Sequence, residues 1–391
     1  MKIIDFKTFV VGNPPPSFGG RYWIFLKLTT DSGISGFGEA YGIPFHPKVA
    51  QKMIEDVCQR YVINKSPFQI EKIWRTIFSS GYSQRPDISL GGVLSAIEIA
   101  MWDIVGKELN RPIYDLLGGK INERLRTYTY IYPDSHDQDD VYSNAKLAAE
   151  KAVKYKKDGF TALKFDPVGP YTINDPQTLS SDKIMHTENF VKMIREAVGP
   201  KCDLLIGTHG QMTAASAIKL ADSIEQYNPL WLEEPVPPNN IESMAQVAKK
   251  INFSVATGER LTTKYEFNEV LKHNAASILQ INMGRVGGIL EGKKIAAMAE
   301  ANSVQIAPHM YCGPIVAAAN IQVAASISNF LILEGIQKWT GFDSEIMKKY
   351  YIWEEGYINL NASPGLGIEI DEEKILQYPY DENNLHLEMS E

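Results

Sequence analysis

Glu233, Glu259, Asn282, His309 and Glu334 follow one another at intervals of 26, 23, 27 and 25 residues, and each comes after a short apolar run. Lys164 and Asp166 end an earlier run, His209 ends another, and Glu234 and Arg260 adjoin Glu233 and Glu259. Carboxylates, imidazoles and an ammonium are the groups that hold hard cations and move protons near neutral pH. Carboxylates gathered in one place raise each other's pKa unless a cation lies between them, so Glu233 and Glu259 are expected to share a divalent ion. Mg2+ suits such a set, because it takes a few carboxylates and keeps positions for water and substrate oxygens. It would hold a substrate carboxylate and offset the charge that develops when the adjoining carbon loses a proton. His309 has the intrinsic pKa of the base for that step. Each residue alone has a plainer reading: Glu233-Glu234-Pro235 as a loop element, His309 after Pro308 as a loop histidine, Lys164 as a strand-end lysine with its amine reaching solvent. Recurrence at one spacing separates the two readings.

Equal spacing requires equal elements to carry it. From about Arg124 onward, short apolar runs alternate with amphipathic stretches. The runs are 125–130, 162–165, 204–206, 230–232, 254–256, 278–281, 305–307 and 330–333. Between them lie helical patterns such as Ala214, Ile218, Ala221 and Ile224. Eight strand-helix units over about 210 residues predict an α/β protein built on a (β/α)8 TIM-type barrel, whose chemistry sits at the C-terminal ends of the strands. A doubly wound sheet is the structural alternative, but no glycine-rich phosphate loop follows the first strand. Ahead of the barrel, the β-branched and aromatic stretches 3–11, 22–29 and 34–40 predict a meander, followed by helices through residue 109. The expected organisation is an α+β N-terminal domain over 1–123, a barrel over 124–334, and a C-terminal segment, 335–391, that packs back on the N-terminal domain.

The chain has 391 residues, 44% hydrophobic and 22% charged, which is the balance of a globular protein with a large core. A net charge of −8 argues against nucleic acid and anionic membrane surfaces as partners. Three scattered cysteines, Cys58, Cys202 and Cys312, match neither a disulfide framework nor a metal-binding pair, which is the usage of a reducing cytoplasm. No apolar leader opens the chain, and no window approaches a membrane span of roughly 20 apolar residues.

In order and spacing, several motifs resemble the mandelate racemase and muconate lactonizing branch of the enolase superfamily. They are Gly36-Phe37-Gly38-Glu39, the stretch from Ala96 to Asp103, Leu116-Leu117-Gly118-Gly119, Ala162-Leu163-Lys164, Trp231 to Pro235, Thr257-Gly258-Glu259-Arg260, Gly287-Gly288, Ala307-Pro308-His309, and Pro364 to Gly367. Thr208-His209-Gly210 and the run from Ala307 to Pro314 are most similar to galactonate-dehydratase-type members. The resemblance implies a hydro-lyase that removes the proton next to the carboxylate of a small acid sugar and then expels water. It implies Glu233 and Glu259 as metal ligands, His309 as base, His209 as the acid for the departing hydroxyl, Lys164 beside the substrate carboxylate, and Glu334 as the eighth-strand acid. It also implies that residues 1–123 with the C-terminal segment form a capping domain over the mouth of the catalytic barrel; loops 13–21 and 41–47 would choose the substrate, with Arg21, His46 and Arg260 as contacts, and even-numbered homo-oligomers are common among such barrels.

Two positions depart from the family pattern. Its first ligand, an Asp, is here Gly207, and the sixth-strand Asp that orients the base is Asn282. Asp166 is the expected replacement ligand, although His209 could itself bind the metal. Asn282 is expected to accept a hydrogen bond from His309 without lending negative charge. Racemisation, epimerisation or lactone cycloisomerisation, with Lys164 opposite His309, keeps the first half of the chemistry. A non-catalytic sugar-acid binder is the rival that the two departures suggest, and a cysteine hydrolase on Cys312 and His309 lacks an oxyanion motif.

Overall fold

The computed structural model describes residues 1–134, 140–336 and 338–391. Eight short strands run parallel: β4 (Arg124–Tyr130), β5 (Ala162–Phe165), β6 (Asp203–Gly207), β7 (Trp231–Glu233), β8 (Ser254–Thr257), β9 (Ile278–Leu279), β10 (Gln305–Ile306) and β11 (Leu333–Gly335). They follow one another in sequence order, and β11 closes the circle by pairing with β4 through Leu333 and Thr127. Leu331 N donates to Ile306 O at 2.8 Å and seals the last seam. Each strand, or the residue bordering it, sends a buried side chain to the axis: Tyr128, Ala162, Leu205, Trp231, Ala256, Ile278, Ala307 and Ile332 form one apolar cluster. Tyr128 and Trp231 meet edge to face at 5.5 Å, and the three alanines leave room for them, so the barrel is a packed core and not a pore. All eight expected runs become barrel strands or border them.

The chain opens with three antiparallel strands, β1 (Ile3–Gly12), β2 (Tyr22–Thr30) and β3 (Ser35–Ala40). The helix Ile88–Glu108 lies so close to β3 that a Cβ at Gly38 would stand 1.8 Å from Ala96 O. Only glycine admits that approach. By length and composition this 21-residue helix could cross a membrane, contrary to the expectation from the sequence, but 83% of its apolar window is buried inside the protein.

The C-terminal segment serves two regions. The hairpin Ile352–Glu354 and Tyr357–Asn359 adds antiparallel to the start of β4. Farther on, Pro379 bridges to Val11 and Tyr380 packs on Tyr22 at 4.7 Å, so this part rests on the cap.

Candidate active site

The C-terminal ends of β5 to β11 bring the periodic side chains to one mouth. Lys164 sits between two carboxylates, with its Nζ hydrogen-bonded to Glu233 and 3.9 Å from Glu334 Oε1. Trp231 Nε1 donates to the other Glu233 oxygen at 3.1 Å. His209 Nε2 lies 3.8 Å from Glu259 Oε1, and His309 Nε2 lies 3.5 Å from Glu259 Oε2 and 3.8 Å from Glu334 Oε2. Glu334 also accepts from Met310 N at 2.7 Å, which ties the loop after β10 to β11. Glu233 is fully buried and Glu334 is 2% exposed.

Burial and neighbouring charge compete here. Burial pushes the Glu233 carboxyl up to about 7 against the pull of the Lys164 ammonium. Burial also opposes ionisation of Glu259, but His309 and His209 hold its carboxyl below the usual range. Burial would lower Lys164, yet Glu233 and Glu334 outweigh it and raise the amine above its ordinary value. The two histidines diverge: burial lowers His309, whereas Asp166 and Glu259 overcome burial and raise His209.

Asp166 fills the space that Gly207 leaves. A Cβ at position 207 would stand 2.0 Å from Asp166 Oδ1, so the Asp166 carboxylate occupies the path of any side chain there. Its oxygens accept from Tyr130 OH at 3.2 Å and Tyr171 OH at 3.1 Å, and His209 Nδ1 lies 3.6 Å from Oδ2.

Asn282 departs from its expected role. Its Oδ1 accepts from Gly284 N at 2.8 Å, which leaves Nδ2 facing His309 Nδ1 at 2.9 Å. Asn282 therefore donates to the imidazole instead of accepting from it.

A cavity of about 380 Å3 opens over these groups, within the range of small-ligand sites. Lys164, Asp166, His209, Glu259, His309 and Glu334 line its floor. Its walls are residues the sequence reading missed: Tyr130, Tyr132, Tyr142, Tyr171 and Tyr311, with Leu387, Glu388 and Ser390 from the C-terminal segment. Ser390 N donates to Tyr171 O at 3.0 Å, which draws that segment across the mouth. The 13–21 loop reaches the wall through Phe18, whose ring lies 4.2 Å from Tyr132. The three expected substrate contacts do not line the cavity. Arg21 is exposed, His46 accepts from Lys48 N at 3.2 Å to cap the helix Pro47–Val57, and Arg260 Nε donates to Glu234 at 2.7 Å. Cys312 is also absent from the cavity wall, and burial pushes its thiol well above the ordinary value.

Glu233, Glu259 and His209 each offer a ligand atom, and these atoms lie within 4.8 Å of one another. Glu259 Oε2 is buried without a hydrogen-bond partner. A buried carboxylate oxygen of this kind, with His209 Nε2 and Glu233 close by, fits a cation, so the residues present suit a divalent metal. Asp166 stands at the edge of this group, beside His209.

An acidic and imidazole cluster at the C-terminal mouth of a parallel barrel is the arrangement of a barrel enzyme's active site. Residues 17–118 match the model of the mandelate racemase/muconate lactonizing enzyme N-terminal domain, and residues 147–374 match the enolase C-terminal domain-like model, so the chain belongs to that family of the enolase superfamily. A D-gluconate/D-galactonate dehydratase of Picrophilus torridus is 34% identical over 92% of this chain and 88% of its own length. A D-xylonate dehydratase of Haloferax volcanii is 32% identical over 95% and 87%. A solved structure of a mandelate racemase/muconate lactonizing enzyme from Sulfitobacter sp. superimposes with a TM-score of 0.97 at 49% identity, covering 100% of this chain and 98% of that one.

Proposed function

We propose that this protein is an acid sugar dehydratase. It removes the proton on the carbon next to the carboxylate and releases the hydroxyl of the following carbon as water, and the resulting enol becomes a 2-keto-3-deoxy acid. The observation that carries the reading is the meeting of Glu233, Glu259 and His209 within 4.8 Å, beneath a cavity that Glu259, His209 and His309 line. The naming of relatives at 32 to 34% identity as sugar-acid dehydratases supports it.

Glu233, Glu259 and His209 would hold a divalent cation, Mg2+ by ligand chemistry, with Asp166 beside the other His209 nitrogen where an orienting carboxylate is expected. Such an ion, when bound, supplies positive charge against the substrate carboxylate as the neighbouring carbon loses its proton. Lys164 adds a fixed ammonium on the same floor, held by Glu233 and Glu334. His309 turns Nε2 toward the cluster, where it faces a bound substrate. The tyrosine walls exclude bulk water and present hydroxyls to a polyol.

The purified protein with Mg2+, given gluconate, galactonate, xylonate and their stereoisomers, is expected to convert at least one to a 2-keto-3-deoxy acid. Solvent deuterium entering the substrate without loss of water would replace the reading with racemisation or epimerisation. Binding without turnover across the panel would replace it with a sugar-acid binder.

A further inference from the structure

We infer that Asn282 locks neutral His309 with its proton on Nε2, so that His309 meets the substrate as a hydrogen-bond donor and not as a proton acceptor. The chain of constraints begins in the backbone. Gly284 N–H is buried and points at Asn282 Oδ1 from 2.8 Å. On the other side, Asn282 Nδ2 lies 3.3 Å from the His309 carbonyl, which also accepts from Asn320 Nδ2 at 2.8 Å. Turning the Asn282 amide over would set its NH2 against the Gly284 N–H and its oxygen against the His309 carbonyl. Both contacts would then be repulsive and a buried donor would lose its partner, so the backbone fixes the amide.

The amide in turn fixes the ring. Asn282 Nδ2 is a donor, and His309 Nδ1 stands 2.9 Å from it, so Nδ1 is the lone-pair nitrogen. A neutral imidazole with a bare Nδ1 carries its proton on Nε2, the nitrogen facing Glu259 at 3.5 Å and Glu334 at 3.8 Å. Both partners are acceptors, which agrees with an N–H at that position. A carboxylate at 282 would do the opposite, accepting from Nδ1–H and leaving Nε2 free to take a proton. Asn282 is thus a positioning residue that sets the direction of the hydrogen bond at His309. In the dehydration proposed above, on which this role rests, the Nε2–H group stabilises an oxygen that gains charge, with no net proton transfer to or from His309. Glu334, the cavity-lining carboxylate outside the metal set, then takes the carbon-bound proton and passes it to the departing hydroxyl, which leaves as water.

The tautomer is readable by long-range 1H–15N NMR of histidine-labelled full-length protein with Mg2+, the His309 signals being identified by their absence from His309→Gln. A protonated-type Nε2 and a lone-pair-type Nδ1 are expected, and the pattern should reverse in Asn282→Asp. Neutron diffraction of deuterated crystals answers the same question without any variant. A proton on Nδ1 of the wild-type protein overturns the inference, as does an unchanged pattern in folded Asn282→Asp. Turnover of Asn282→Asp should fall on the order of 10²-fold, the usual loss for a removed stabilising donor, and a rise in turnover would refute the donor role. Because the tautomer is read without substrate, its failure leaves the dehydration reading standing, and an absence of acid sugar turnover leaves the tautomer result standing.

Discussion

Two sets of buried carboxylates sit in this molecule under similar desolvation and in opposite company. Glu39 and Glu98, each 1% exposed, lie where the cap meets the barrel. Glu39 accepts from Gly313 N at 2.7 Å and Val316 N at 2.9 Å at the start of the helix Pro314–Ala325. Glu98 accepts from Ile289 N at 2.7 Å, Leu290 N at 2.9 Å and Trp102 Nε1 at 2.7 Å at the start of the helix Ile289–Ala301. Free N–H groups and the positive end of the helix dipole complement both carboxylates, so the fold itself satisfies them. Glu233, Glu259 and Glu334 at the mouth face an ammonium, two imidazoles and one another, and Glu259 keeps an oxygen with no hydrogen bond. The first set fastens the two segments that carry Asn282 and His309. The second set is left incomplete by the fold, which is what a binding site requires.

The comparison predicts opposite phenotypes. Glu259→Gln should lose about 10²- to 10³-fold in turnover, the usual effect of removing preorganised charge from a reacting centre. Its urea midpoint should fall only modestly, because the charge that His309 and His209 favour is lost while the amide keeps the shape and sheds the cost of burying a charge. Glu98→Ala should cost roughly 2 to 3 kcal/mol of stability by stranding one buried and two part-buried donors, while the folded fraction keeps most of its turnover. Steady-state assays beside urea unfolding of both variants check the pair. An unstable but active Glu259→Gln, or a stable but inactive Glu98→Ala, would abolish the distinction.

How much of this the sequence revealed follows the same division. The barrel was legible because each strand is an apolar run and each helix an amphipathic one, even where β9 and β10 shrink to two paired residues each. The mouth was legible because a closed barrel turns a period of about 25 residues into one place, so Glu233, Glu259, His309 and Glu334 announced one another. Tyr132, Tyr142, Tyr171 and Tyr311 lie in connecting segments with no period, and Glu388 and Ser390 reach the cavity only because the tail folds back. Glu39 and Glu98 belonged to visible motifs, but the backbone donors they meet lie some 190 to 280 positions away in sequence. The direction of the Asn282 amide was hidden for a different reason: a backbone N–H two residues on decides it, and residue types alone carry no record of that.

A third carboxylate calibrates the comparison, because water reaches it. Glu372 bridges Lys7 at 2.7 Å and Lys27 at 2.6 Å, tying the C-terminal segment to β1 and β2, with 28% of its side chain exposed. Hydrogen bonds from Lys27 and Lys7 outweigh its slight burial and lower its carboxyl. A lowered carboxyl contributes stability that is complete above its unfolded pKa and is lost as pH falls through the folded one. Solvent screening keeps the contribution small, so Glu372→Gln should cost only about 0.5 kcal/mol at pH 7. That difference should shrink in 1 M salt and vanish once acid has protonated the wild-type carboxyl. Thermal unfolding of both proteins from neutral pH down to pH 3 tests it. A penalty matching that of Glu98→Ala would mean that charge pairing alone holds the cap, and that the backbone donors at the helix starts contribute nothing special.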